Sequence, residues 1–308
     1  MTKGVIVPLE SYRLAQYALP VNCYICEGEN TVDAEFCRNC SAPMALAHQA
    51  NSQKILPRMV AVLGASAVGK TVYLGMLMDM LCREHGQLQL LARGAFSITL
   101  QQTTLKALAR CEFPEKTPNE PDCWNWVHCQ IRQPKQRWPA ELIMPDMAGE
   151  AVLEEVDHPH TYRVISAFLK KCTAAMVLID TMELQQGGLD QDYFTMKLLS
   201  YLTELDDDPK HGWPQKPVAL IFTKADQCEE CRADPAGYAR THASGLWQQC
   251  QERFHEHKFF ATGVSGACAL RQTRDGWAKV PLRVEPHGVI EPFEWLLTKI
   301  KIGAGKSG

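Results

Sequence analysis

The stretch Gly64-Ala65-Ser66-Ala67-Val68-Gly69-Lys70-Thr71 decides the fold of this chain. It matches the pattern G-x-x-x-x-G-K-[ST], in which a glycine turn and a helix N-terminus surround a phosphate chain with backbone N–H groups. The apolar run 59–63 before it is typical of a buried parallel strand, and residues 72–81 after it carry apolar side chains at helical spacing. The sequence therefore predicts a strand, a phosphate-binding loop and a helix, with Lys70 on the β- and γ-phosphates and the Thr71 hydroxyl on Mg²⁺.

The composition is that of an ordinary globular protein. The 308 residues are 46% apolar and 22% charged, enough to bury a sizeable core in one large domain or two modest ones. A formal net charge of −3 provides no overall basic field for nucleic acid or an anionic membrane. No apolar run reaches the roughly 18 residues that a membrane span requires, and the first residues lack the apolar stretch of a signal peptide. These features predict a cytoplasmic protein without a membrane partner.

Four of the thirteen cysteines form two matched C-x-x-C pairs separated by ten residues. Such pairs bring four thiolates into the closed tetrahedral set that Zn²⁺ prefers in structural sites. The alternatives are a redox motif or two disulfides, and the pairing of the four cysteines disfavours both. Few basic or aromatic residues lie between the pairs, so the pattern does not favour nucleic-acid binding. We expect a small zinc ribbon with the ligands Cys23, Cys26, Cys37 and Cys40.

A second motif follows the predicted strand 141–144. Asp146 and Gly149 fit the pattern D-x-x-G, which in isolation is most often a turn. At the end of a strand downstream of a phosphate loop, the same pattern is typical of a nucleoside triphosphate switch. We expect Asp146 to hold Mg²⁺ through a water molecule and the Gly149 N–H to sense the γ-phosphate.

A third motif, Thr223-Lys224-Ala225-Asp226, follows the predicted strand 218–222 and matches [NT]-K-x-D. The Asp226 carboxylate can accept hydrogen bonds from guanine N1–H and N2–H₂, while the stem of Lys224 lies along the base. Adenine lacks this pair of donors, so one buried carboxylate can set the choice of base. A solvated charged turn is the alternative reading of the motif alone. Farther along, Ser265-Gly266-Ala267 at the end of another predicted strand could place backbone N–H groups against guanine O6.

In this order, the motifs resemble the Ras-like, translation-factor-related class of P-loop GTPases over roughly residues 55–302. The ribbon ahead of the loop, Gly149-Glu150 and the closing residues 292–297 are similar to bacterial double-GTPase-type families. That resemblance implies a role in bacterial conflict or stress systems beside a partner protein. It also implies that Thr117 is the switch threonine that touches Mg²⁺ and the γ-phosphate. Glu150 stands where these enzymes usually carry glutamine, which implies slow hydrolysis or a group supplied by a partner, such as an arginine finger.

The expected architecture is α/β, a three-layer P-loop NTPase fold with a mostly parallel sheet, preceded by a small zinc ribbon. We divide the chain into an N-terminal segment with the ribbon (1–45), a linker (46–57), the P-loop domain (58–302) and a tail (303–308).

The expected function is a Mg²⁺-dependent switch that binds GTP and GDP, hydrolyses GTP, carries Zn²⁺ and acts through a partner protein. The alternatives are a nucleotide-binding scaffold with little hydrolysis, and an ATPase that uses the same loop. The process controlled, the oligomeric state, the contacts of the ribbon and the role of Cys228 and Cys231 stay open. A pair of reduced thiols is the preferred interpretation of these two cysteines.

Overall fold

The computed structural model describes residues 19–53, 57–83, 88–132, 139–187, 189–205, 216–273 and 276–300. The predicted tail 303–308 and most of the segment before the first cysteine pair lie outside the described residues. No helix within the described ranges is both long and apolar enough to cross a bilayer.

The described chain begins with a short antiparallel hairpin of β1 (Val21–Asn22) and β2 (Glu29–Asn30). Helix α1 (Ala45–Gln53) follows, within the stretch expected to be a linker. Leu46 and Ala47 of α1 are buried in the same apolar cluster as the ribbon's Cys23 and the core residue Met59. The ribbon thus packs against the central fold, and our division of the chain into domains stays a prediction.

A central sheet confirms the predicted α/β architecture. Its seven strands are β3 (Arg58–Gly64), β4 (Gln89–Arg93), β5 (Asn125–Arg132), β6 (Ala140–Asp146), β7 (Ala174–Asp180), β8 (Val218–Thr223) and β9 (His257–Ala261). They lie in the order β4-β5-β6-β3-β7-β8-β9. β5 pairs antiparallel with β4 and β6, and the remaining neighbours pair in parallel. The carboxyl ends of β3, β6, β7, β8 and β9 therefore share one edge, where ligands bind in open α/β sheets.

Helices cover both faces of the sheet and complete three layers. Along β3, Val60 and Val62 join one apolar cluster, whereas Ala61 and Leu63 join the other, as the alternation of a strand requires. The helices after α1 are α2 (Lys70–Cys82), α3 (Gly94–Ala109), α4 (Gly149–Asp157), α5 (Arg163–Lys171), α6 (Thr181–Gln185), α7 (Leu189–Leu205), α8 (Glu229–Ala233), α9 (Pro235–His242), α10 (Ser244–Arg253) and α11 (Glu291–Lys299). The first cluster includes residues of α2, α3 and α11, and the second includes residues of α4, α5, α7, α9 and α10.

Two features differ from the sequence-based expectation. The sequence predicts one helix over residues 235–255, but Ala243 has φ −140° and ψ 56° and separates α9 from α10. Ser244 and Gly245 follow it, and both are poor interior helix formers. A second hairpin, β10 (Ala267–Thr273) with β11 (Gly276–Arg283), was not predicted.

The predicted strand and helix around the phosphate loop are confirmed as β3 and α2. Cys228 and Cys231 are free thiols, and both are buried rather than lying in an open loop.

We expect the core to depend on Trp126, which is 1% exposed and packs edge-on against Phe168 with ring centroids 6.0 Å apart. Trp126→Ala should lower the free energy of unfolding by about 3–5 kcal/mol, because it removes a large buried side chain and leaves a cavity. Trp277, at 69% exposure, is the matched control, and Trp277→Ala should change the free energy of unfolding by less than about 1 kcal/mol. Denaturant unfolding measures both variants, and equal losses would contradict the assignment of the core.

Candidate functional site

The phosphate loop joins the end of β3 to the start of α2. The Lys70 side chain is 7% exposed, and its Nζ donates to the carbonyl oxygens of Gly64 at 3.0 Å and Ala65 at 2.8 Å. Burial lowers the pKa of Lys70 to about 8, while the nearby Asp146 and Glu150 carboxylates oppose the shift. A triphosphate in the loop would favour the charged ammonium and offer it oxygen acceptors in place of the two carbonyls.

Three oxygen-bearing side chains from separate segments meet beside the loop. Thr71 Oγ1 donates to Asp146 Oδ2 at 2.9 Å, and Thr117 Oγ1 donates to the same oxygen at 3.1 Å. The two hydroxyl oxygens lie 3.2 Å apart. The structure therefore brings together the helix threonine, the switch threonine and the strand-end carboxylate that the sequence had placed 75 residues apart at most.

The chemistry of this corner fits a divalent cation. Asp146 is 0% exposed, and burial raises the pKa of its carboxyl group, while Lys70 and the two threonine hydroxyls oppose that shift. Its second oxygen, Oδ1, is buried without a hydrogen-bond partner among the described residues. Hydroxyl and carboxylate oxygens are the ligands that Mg²⁺ takes beside nucleotide phosphates. Thr71, Thr117 and Asp146 could therefore hold Mg²⁺.

The second motif continues from Asp146 onto the phosphate loop. A Cβ on Gly149 would lie 2.5 Å from the Ala65 carbonyl carbon and from the Ser66 nitrogen, so the two backbones approach as only glycine permits. The next residue, Glu150, forms an ion pair with Lys116, which immediately precedes Thr117. This Lys116 contact lowers the pKa of Glu150.

The third motif is attached to the phosphate loop by a hydrogen bond. Thr223 Oγ1 donates to the Val68 carbonyl oxygen at 2.8 Å and to that of Ile179 at 3.1 Å. Lys224 has a left-handed φ of 57°, and its ammonium pairs with Asp180 at the end of β7. Asp180 is itself fixed because it accepts the N–H of Met182 at 3.0 Å.

Asp226 is a buried acid with an unsatisfied oxygen. Its side chain is 7% exposed, its Oδ1 lies 3.9 Å from His287 Nδ1, and that oxygen has no hydrogen-bond partner in the described part of the chain. A Cβ on Gly263 would lie 1.6 Å from this oxygen, so the close approach requires glycine. Burial raises the pKa of the Asp226 carboxyl group, and the nearby His287 opposes the shift.

A cavity of about 410 Å³ connects the phosphate loop to Asp226. This volume is in the range of small-molecule and cofactor sites. Ser265, one of the three predicted base-binding residues after β9, lines the cavity. The other two, Gly266 and Ala267, are not among the described residues that line it. β9 ends at Ala261, and Ala267 already belongs to the hairpin strand β10.

Sequence reasoning missed several residues of this site. Lys116 is adjacent to the predicted switch residue Thr117, and Asp180 follows the apolar run 174–179. Their positions in the sequence could therefore have indicated that both lie near the site. Lys279 gave no such indication, because it lies on β11 of the unpredicted hairpin. Other lining residues outside the three motifs are Val72, Tyr73, Phe113, Pro114, Glu115, Gln227, Thr262, Gly263, Val264 and Cys268.

The four ribbon cysteines form a separate cluster in which all the sulfur atoms lie within 4.8 Å of one another. Cys23 and Cys40 sulfurs are 3.7 Å apart, and those of Cys26 and Cys37 are 3.5 Å apart. A tetrahedron of sulfurs about 2.3 Å from a Zn²⁺ ion has edges of about 3.8 Å. The hydrogen bond with the neighbouring Cys40 thiol lowers the pKa of Cys23 to about 5.

Backbone and amide donors point at the same cluster. The Ile25 N–H lies 3.4 Å from Cys23 Sγ, the Asn39 side-chain amide 3.3 Å from Cys26 Sγ, and the Asn30 amide 3.4 Å from Cys37 Sγ. Such donors stabilise thiolates and orient metal ligands. The chemistry and spacing of the cluster fit a closed structural Zn²⁺ site.

Comparison with known proteins gives a family match over the part of the chain that holds the phosphate loop and the second motif. Residues 61–212 match the family model described as Double-GTPase 1, a span that contains Thr71, Thr117 and Asp146. No curated protein matches the sequence.

Solved structures resemble the chain only weakly. The GTP-bound GTPase-like domain of Ski7 from S. cerevisiae is 14% identical with a TM-score of 0.45; the alignment covers 84% of this chain and 53% of that one, about half its length. The signal recognition particle receptor complex SRb-GTP/SRX from Chaetomium thermophilum is 14% identical with a TM-score of 0.38, covering 67% and 90%. The G domain of the T. maritima iron transporter FeoB is 12% identical with a TM-score of 0.35, covering 79% and 98%.

We expect Gly149→Ala to disrupt the cavity, because the added methyl group would enter the backbone of the phosphate loop. Nucleotide affinity should fall by about tenfold or more, since a displaced loop loses its converging N–H groups. Gly245→Ala is the matched control: its Cβ would meet the Met196 sulfur at 2.9 Å, and that flexible side chain can move. Titration with a fluorescent guanine nucleotide measures both variants, and wild-type affinity in Gly149→Ala would contradict the contact.

Proposed function

We propose that this chain, whose residues 61–212 match the Double-GTPase 1 family model, is a GTP-hydrolysing P-loop GTPase of that type and a Mg²⁺-dependent switch that works through a partner protein. GTP and GDP are the ligands that set its two states. The observation that carries the guanine assignment is Asp226, a buried carboxylate at the cavity that begins at the phosphate loop, with one oxygen that has no hydrogen-bond partner among the described residues.

Guanine supplies what Asp226 lacks. Its N1–H and N2–H₂ would donate to the two carboxylate oxygens, and this compensates the cost of burying the charge. The Lys224 stem would lie along the base, because its ammonium is fixed by Asp180. An adenine base would leave the carboxylate unpaired, which disfavours ATP.

The phosphate end of the cavity, unlike the base end at Asp226, presents an ammonium group beside hydroxyl and carboxylate oxygens. Lys70 would exchange its two carbonyl acceptors for phosphate oxygens, and Thr71, Thr117 and Asp146 would hold Mg²⁺. The ion supplies neutralisation of the charge on the β- and γ-phosphates. Thr117 belongs to the loop between α3 and β5, so its hydrogen bonds to Asp146 and Thr71 determine where that loop lies. We propose that loss of the γ-phosphate releases this loop, and that a partner reads the change.

The wider process is proposed from the family alone. Families of the double-GTPase type imply a bacterial conflict or stress system with a partner effector. The ribbon, as a Zn²⁺ site without an open ligand position, has a structural role in this proposal.

The base assignment is tested with Asp226→Asn. The amide can no longer accept from both guanine donors, so GTP affinity should fall by about two orders of magnitude while xanthosine triphosphate affinity rises. Asp190→Asn, at an exposed position on α7, is the matched control and should keep the wild-type preference. Competition titration with the two nucleotides provides the measurement. An unchanged guanine preference in Asp226→Asn would mean that this carboxylate does not read the base.

The metal assignment of the ribbon is tested with Cys37→Ser. We expect one Zn²⁺ ion per wild-type chain and loss of that ion in the variant, because serine is a poor ligand in a tetrathiolate site. The unfolding midpoint should fall as well, since Cys37 shares an apolar cluster with the core. Cys111→Ser, at an exposed free thiol, should keep both the metal and the midpoint. Elemental analysis decides the question, and a metal-free wild-type protein with a cooperative unfolding transition would contradict the site.

A further inference from the structure

Lys116 and Glu150 form an ion pair beside the phosphate loop. Their side chains are 61% and 41% exposed, so water screens the pair and it contributes little to stability. Lys116 nevertheless lines the nucleotide cavity. The significance of the pair therefore lies in where it places charge.

Both partners are fixed through the residues next to them. Thr117, directly after Lys116, is hydrogen-bonded to Asp146 and Thr71. Gly149, directly before Glu150, rests against the backbone of the phosphate loop. The loop that carries Lys116 is held at a second point, where the buried Trp124 indole donates to the Pro118 carbonyl oxygen at 2.9 Å. The Lys116–Glu150 pair is thus held between two anchored segments, beside the end of the cavity that would receive the γ-phosphate.

The ion pair with Lys116 offsets the negative charge that Glu150 would bring next to a γ-phosphate. A carboxylate beside a γ-phosphate repels it, whereas the glutamine usual at this position in Ras-like enzymes is neutral. The Lys116 ammonium cancels that charge. The neighbouring cation also lowers the pKa of Glu150, so the carboxylate stays ionised and remains a hydrogen-bond acceptor.

We propose that Lys116 is a positioning residue for GTP hydrolysis: it neutralises Glu150 and holds its carboxylate where it accepts a hydrogen bond from the attacking water. The water oxygen forms a bond to the γ-phosphorus, the bridging P–O bond breaks, and its electron pair leaves on GDP. The proton of the water passes to the phosphate product. Lys116 thus supplies within the chain the cation that compensates Glu150. This inference rests on the proposed GTPase function.

Four variants separate this role from a surface ion pair. Lys116→Met should weaken GTP relative to GDP by about tenfold and slow single-turnover hydrolysis by about tenfold or more, because an uncompensated carboxylate then faces the γ-phosphate. Lys116→Arg keeps the charge and should stay within about threefold of wild type. Glu150→Gln removes the need for compensation, so adding Lys116→Met to it should cost less than about threefold.

Lys106→Met is the matched control, since it removes one positive charge at an exposed position of α3 that does not line the cavity. It should behave as the wild type in both assays. A Lys116→Met protein with wild-type hydrolysis and nucleotide preference would overturn the inference. So would a double variant in which Lys116→Met costs as much as it does alone. Absence of GTP turnover in the wild type would overturn the proposed function and this inference together, whereas wild-type turnover with no Lys116 effect would overturn this inference only.

Discussion

The buried carboxylate of Asp146 is the constraint on which the site depends. It lies at the end of β6 with no exposure, and burial disfavours its charged form. Compensation comes from separate parts of the chain: the ammonium of Lys70 and the hydroxyl groups of Thr71 and Thr117. Because the third of these groups belongs to the loop between α3 and β5, the position of that loop is tied to the charge of the cavity. In the proposed switch, occupancy of the cavity and the position of this loop are coupled through this one acid.

A second chain of contacts runs from the phosphate loop toward the ribbon. Gly149 starts α4, and Glu155 in that helix is fully buried and accepts the Tyr162 N–H at 2.7 Å, at the start of α5. At the other end of α5, Lys171 pairs with Glu27 of the ribbon at 2.6 Å and donates to the Tyr24 carbonyl oxygen at 3.4 Å. The ribbon is therefore packed on α5, the second helix after the second motif. The ribbon cysteines pack in the same apolar cluster as residues of the central fold, so the ribbon is part of the hydrophobic core.

Local sequence predicted the parts of the site that depend on the ends of strands. The phosphate loop, Asp146 and Asp226 each follow a buried apolar run, and parallel pairing then brings them to one edge of the sheet. What the sequence could not predict depends on contacts between distant segments. The pairing of Lys116 with Glu150 needs the loop before β5 to meet the first turn of α4, and the hairpin that carries Lys279 consists of partly exposed strands without a clear apolar alternation. The break between α9 and α10 likewise depends on a single residue's backbone angles rather than on the helical pattern around it.

The most direct test of the account is turnover of the wild-type protein with Mg²⁺, with GTP and ATP in competition. The account predicts that GTP is bound and hydrolysed to GDP and phosphate, that excess ATP neither slows this reaction nor is consumed, and that removal of Mg²⁺ abolishes it. Equal competition by ATP would contradict the reading of Asp226 as the residue that selects the base. Tight GTP binding without any release of phosphate would contradict the central claim that this geometry hydrolyses the nucleotide.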